Sequence, residues 1–167
     1  MGKVIQTSAI LLTCLLDANI FATDVFTQKN IGLEAANDIA KMSIDACRKD
    51  GFNVSVVVVD KHGNIRSAMR DDLAAKFTLE IAQKKANLVV MSGTSSGAFR
   101  AARPDIQQEL NHIEGLIVMQ GGLPIRAGGV LIGAVGVSGA PGGEKDESCA
   151  ATAIKAITQR LEFASDD

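Results

Sequence analysis

Tryptophan and tyrosine are absent from this 167-residue chain, and its aromatic residues are six phenylalanines. The stacking surfaces on which single-strand nucleic-acid binders hold bases are therefore largely missing. A formal net charge of -2 leaves no basic field to draw in phosphate backbones or anionic lipid, and nucleic acid is set aside as a partner. No Cys-x-x-Cys or His-x-x-x-His pattern occurs, which disfavours a structural zinc site. No apolar run approaches the roughly 20 residues needed to cross a bilayer, so a transmembrane helix is not expected. Nucleophilic catalysis by serine, or by cysteine with histidine, has no supporting motif.

What the chain does have is a core in prospect: hydrophobic residues make up 47% of it, at a length typical of one domain. Its beginning differs from the rest. Lys3, a short apolar run over residues 9–16 and the small residues Ala18 and Ala22 follow the layout of a secretory signal peptide. Residues 1–22 are accordingly read as a leader and 23–167 as the domain, with a periplasmic or secreted location. An uncleaved apolar helix in a cytoplasmic protein is the alternative. Cleavage would remove Cys14 and leave Cys47 and Cys149. An oxidising compartment permits a bridge between them, but both lie in helical stretches, where a lone cysteine usually acts as a small buried hydrophobe; the unbridged state is the expectation.

Periodicity gives the order of elements. Apolar positions at helical spacing run through 31–49, ended by Gly51. Residues 54–59 are a β-branched run, 60–64 a turn and 65–70 a second strand. A helix is expected over 71–91 with Phe77, Ile81, Lys84 and Leu88 on one side, then a break at 92–97 and a short helix from Pro104 to His112. Strands are expected at 115–120, 125–126 and 130–137, with a bend at 121–124, before a last helix over 146–163. The sum is a single-domain α+β protein, an antiparallel sheet of about five strands flanked by helices.

Glycine is concentrated late: Gly121, Gly122, Gly128, Gly129, Gly133, Gly136 and Gly139. Glycine weakens a strand, so its repetition there needs a reason. For Gly128, Gly129, Gly133 and Gly136, tight turns and close helix packing compete evenly with ligand approach. Gly121, Gly122 and Gly139 stand at segment ends, where pockets open, and are read as ligand-facing. Arg126 and the Arg66/Arg70 pair are candidate carboxylate clamps, or plain surface charge. The glycine-rich loop 139–143 before a helix could offer N–H groups to an anion, although Glu144, Asp146 and Glu147 already complement that positive end.

These residues carry a resemblance. Gly121-Gly122-Leu123-Pro124-Ile125-Arg126, the run Gly133-Ala134-Val135-Gly136-Val137-Ser138-Gly139 and the downstream Asp146 are similar to the signature of the GlcG/HbpS/PduO C-terminal family. The Val57-Val58-Val59-Asp60-x-x-Gly63 hairpin and Lys84-Lys85-Ala86 also fit. The resemblance implies a helix-flanked antiparallel sheet, assembly into homo-oligomers, and binding of haem or a related tetrapyrrole, with haem degradation claimed for some members. It places cofactor contacts at Gly121, Gly122, Pro124, Arg126, Gly139 and Asp146; no family motif position falls on either histidine, and His112 is added as a contact because it lies close in sequence to the glycine-rich motif. Without tyrosine, the iron ligand falls to His112 or His62, to a methionine such as Met69, Met91 or Met119, or to a cysteine. Two other functions stay open: an enzyme on a small organic acid or aromatic compound, using Asp60, Arg126 and Asp146, and an oligomeric partner or sensor without chemistry.

Overall fold

The computed structural model describes residues 25–163. The leader assigned to 1–22, and with it Cys14, lies outside them. Ten elements follow in order: α1 (Leu33–Lys49), β1 (Ser55–Asp60), β2 (Ile65–Arg70), α2 (Thr78–Ser92), α3 (Ser96–Ala102), a 3-10 turn (Pro104–Ile106), α4 (Gln107–Leu110), β3 (Gly122–Ala127), β4 (Val130–Ser138) and α5 (Gly143–Phe163).

The valine run of β1 has every residue buried because β1 and β4 are the two interior strands of a sheet ordered β2-β1-β4-β3. All neighbours are antiparallel. Alternate side chains of a strand point to opposite faces. Val56 and Val58 therefore meet α1 and α5 in one cluster with Ile39, Val135, Val137 and Ile157. Val57 and Val59 meet α2 in another, with Ala82, Ala86, Val89 and Ala134. The result is three layers, with two helices on one face and α2 on the other.

The sheet has four strands, not five. Residues 115–120, apolar enough to suggest a strand, form a loop pinned by side chains: Val118 donates its amide to Asn111 Oδ1 (2.7 Å), and Asn87 donates to the Gly115 carbonyl (3.0 Å). The expected bend at 121–124 is instead the start of β3, where Gly122 faces Gly136 and Pro124 faces Ala134. Proline is tolerated there because β3 is an edge strand and needs no amide on its open side. The long helix begins at Thr78 rather than 71. Asp71 is taken by the guanidinium of Arg48 (2.7 and 2.8 Å), so residues 71–77 form a turn. Phe77 is left exposed instead of packed.

Cys47 on α1 and Cys149 on α5 form a disulfide, against expectation. The two helices lie side by side on one face of the sheet and bring these Cα atoms to 5.4 Å, within the span a disulfide closes. Among the described residues no helix is long and apolar enough to cross a membrane.

Candidate functional site

At the N-terminal end of α5, Asp146 and Lys85 form a buried ion pair with an Nζ–Oδ2 distance of 2.7 Å. Lys85 reaches it from α2 and also donates to the Val137 carbonyl (2.9 Å), while the amide of Ala140 donates to Asp146 Oδ1 (3.1 Å). One carboxylate thus joins α2, the end of β4 and the glycine-rich loop. Burial pushes the Asp146 carboxyl above its ordinary range, and the Lys85 ammonium pulls against that. The pair lines a cleft of about 170 Å³ with Arg100, Met119, Gln120 and the loop glycines Gly139, Gly142 and Gly143.

α3 forms the opposite wall and is docked by polar contacts. The Ser96 hydroxyl accepts the Gly122 amide (2.8 Å), and Glu147 accepts both the Gly97 amide (3.1 Å) and the Gln120 side-chain amide (2.7 Å). α3 and Lys85 were the parts of this site that periodicity did not reveal. The helical spacing grouped Lys84 with Phe77, Ile81 and Leu88 on one side, yet Lys84 pairs with Glu80 at the surface and Lys85 is the buried one.

Gly121, Gly122 and Gly139 meet the chain's own atoms. A Cβ at Gly122 would lie 2.7 Å from the Lys85 carbonyl oxygen, at Gly139 2.6 Å from that of Asn53, and at Gly121 2.7 Å from that of Val137. The missing side chains make room for helix and strand backbone; within this chain they leave no slot for a flat ligand. Gly139 and Asp146 do border the cleft, whereas Pro124 lies elsewhere, in a shallow depression with Ile154 and Thr158. Arg126 donates to the carbonyls of Gly93 (2.7 Å) and Gly129 (3.1 Å), tying the β3–β4 turn to the end of α2. Asp60 accepts the amides of His62 (2.8 Å) and Asn64 (3.0 Å) and closes the β1–β2 turn. Of the two carboxylates considered as a general base, Asp60 and Asp146, it is Asp146 that lines one of the described cavities. Arg70 bonds the Ala74 carbonyl and Arg66 is exposed on the edge strand.

Both histidines are exposed. His112 follows α4 in the loop toward Gly115 and is not among the cleft's lining residues. His62 Nε2 lies 3.0 Å from the side-chain oxygen of Gln28, in the segment that leads into α1. That segment walls a larger cavity of about 540 Å³, bounded by Thr27, Lys29, Ala35, Ile132, Arg160 and Leu161 among others. The Lys61 amide donates to Asn30 of the same wall (3.1 Å), so the hairpin tip carrying His62 is anchored at its rim. Of the methionines considered as iron ligands, Met69 packs against the core, Met91 is exposed, and Met119 borders the smaller cleft. The disulfide occupies both described cysteines.

Comparison with known proteins agrees with this architecture. The family described as "Haem degrading protein HbpS-like" matches residues 31–155. Protein GlcG of Escherichia coli K12 is 25% identical over 112 residues, 67% of this chain and 84% of that protein. The crystal structure of HbpS superposes with a TM-score of 0.75 at 33% identity, covering 80% of this chain and 94% of HbpS. The PduOC:heme complex gives 0.70 at 26% identity, covering 77% of this chain and 95% of its own. With three quarters of its length matched by the family and the same layered sheet, the chain belongs to the HbpS-like family.

Proposed function

We propose that this chain binds haem or a closely related tetrapyrrole in the cavity between the segment leading into α1 and the ends of β4 and α5. The observation that carries the reading is the cavity itself: about 540 Å³, within the range of small-molecule sites, in a member of a family that includes a haem complex. Its wall fits the group. Ala35, Ala127, Ile132 and Leu161 offer apolar surface to a macrocycle, and the wall also carries Lys29, the Glu34 carboxylate and Arg160, which pairs with Asp38 (2.7 Å).

Among the described residues the wall has no imidazole, thioether or thiol, and His62, tethered at the rim, is the side chain that would hold the iron. Bound haem would supply redox and ligand-binding chemistry at its iron; the chain's part would be to hold it against the apolar wall and offer His62 as a donor. The Cys47–Cys149 bridge supports an oxidising, periplasmic or secreted setting for that task.

Titration of the purified protein with haemin is expected to give a shifted Soret band that saturates at a defined stoichiometry. His62→Ala should alter the band and Ala35→Phe, which fills the cavity, should weaken binding, while His112→Ala leaves both unchanged. Absorbance that rises without saturating overturns the reading, and loss of the band in His112→Ala moves the site.

A further inference from the structure

We propose that the cleft at the N-terminus of α5 is a second site, separate from the tetrapyrrole cavity, that binds a small carboxylate anion between Arg100, Lys85 and the first turn of α5. At about 170 Å³ it is too small for a macrocycle and ample for a short organic acid.

Four features converge on an anion. Lys85, 2% exposed, carries three N–H donors, and two are met by Asp146 and Val137. The third has no protein acceptor among the described residues. Arg100 projects from α3 into the cleft wall with its guanidinium forming no hydrogen bond or ion pair among the described residues, unlike Arg126 and Arg160. The opening N–H groups of α5 at Gly143 and Glu144 have no partner within the helix, and this 21-residue helix directs its positive end there. Asp146 is taken up by Lys85 and the Ala140 amide and does not engage Arg100.

The walls are preorganised. Glu147 is held by Gly97 and Gln120, so it braces α3 against α5 instead of filling the space. Glu144 folds beside Gly142 at the mouth and is exposed, a negative group that selects for a single carboxylate over a multiply charged anion. Arginine's planar fork suits a carboxylate in two-point contact, and a buried ammonium behind it fixes the second oxygen.

The test is calorimetric titration of the full chain with acetate, propionate, succinate and, for comparison, inorganic phosphate, at constant ionic strength set with chloride. Saturable binding of the monocarboxylates at one site per chain is expected, with phosphate weaker. Arg100→Gln, an exposed change that leaves the fold intact, should weaken carboxylate binding by about tenfold or more, the worth of a charged hydrogen bond. The haemin titration of Arg100→Gln should match that of the unmodified protein, which separates this site from the first. No saturable heat with any acid overturns the proposal, as does unchanged affinity in Arg100→Gln or phosphate binding as tightly as acetate.

Discussion

The Cα of Gly136, at the centre of β4, faces the carbonyl oxygen of Ala82 on α2 so closely that no side-chain carbon fits between them. Gly122, its partner across the β3–β4 ladder, stands in the same relation to the Lys85 carbonyl one helical turn further on. The two glycines form a flat floor on which α2 rests by its backbone. Gly136→Ala is therefore expected to lower stability by about 1–3 kcal/mol, the usual cost of overpacking a filled interior. Chemical denaturation read by circular dichroism checks it, and a midpoint equal to that of the unmodified protein would remove the packing account of these glycines.

Lys85 and Asp146 make a pair whose value depends on both members being present. Removing one strands a buried charge, so Lys85→Met should cost about 3–5 kcal/mol. Replacing both, as Lys85→Met with Asp146→Leu, should recover most of that loss, because two desolvated charges give way to apolar surface. Denaturation midpoints of the two variants side by side provide the measurement. Equal losses in the single and double variants would mean that the carboxylate serves mainly through Ala140, holding the loop before α5.

The Cys47–Cys149 bridge closes a segment with a sequence separation of 102. A cross-link over so long a loop removes much freedom from the unfolded chain, and its loss commonly costs about 2–5 kcal/mol. Cys47→Ala with Cys149→Ala should lower the urea midpoint accordingly, and added reductant should do the same to the unmodified protein but not to the variant. A midpoint insensitive to reductant would show that the thiols are unbridged in solution.

Where local pattern and tertiary role agree, the elements were legible in advance. The valine run of β1, the span 65–70 of β2 and the amphipathic α1 all emerged close to their observed bounds. Failures came where a distant side chain captured a local signal. Asp71 has the look of a helix start, but Arg48 from α1 holds it and the helix waits until Thr78. Leu116 to Met119 has strand composition, yet Asn87 and Asn111 fix that stretch as a loop. The late glycines announced a close approach correctly but not its partner, because composition does not distinguish a ligand from a helix backbone. The Lys85–Asp146 pair spans 61 positions and has no local signature at all.

Acid should weaken the fold through Asp71. Its bonds from Arg48 hold the carboxyl below the ordinary value of 3.8, with burial opposing and the Asp72 amide adding to the shift. Asp60 is also lowered: burial pushes it up, but the bonds from Asn64 and His62 outweigh that. A carboxyl whose folded value is depressed binds its proton more weakly in the folded chain than in the unfolded one. Its contribution is complete above the unfolded value and fades as the pH drops below about 4 through the depressed folded value. Asp71→Asn removes the charge that Arg48 grips, so the variant should melt lower than the unmodified protein near neutrality. That difference should narrow steadily as the pH falls below about 4, as the native carboxyl takes up its proton and the two proteins become alike. Thermal melts at one-unit intervals resolve it, and a gap that stays constant down to pH 2 would mean that the Arg48–Asp71 contact contributes through shape, not charge.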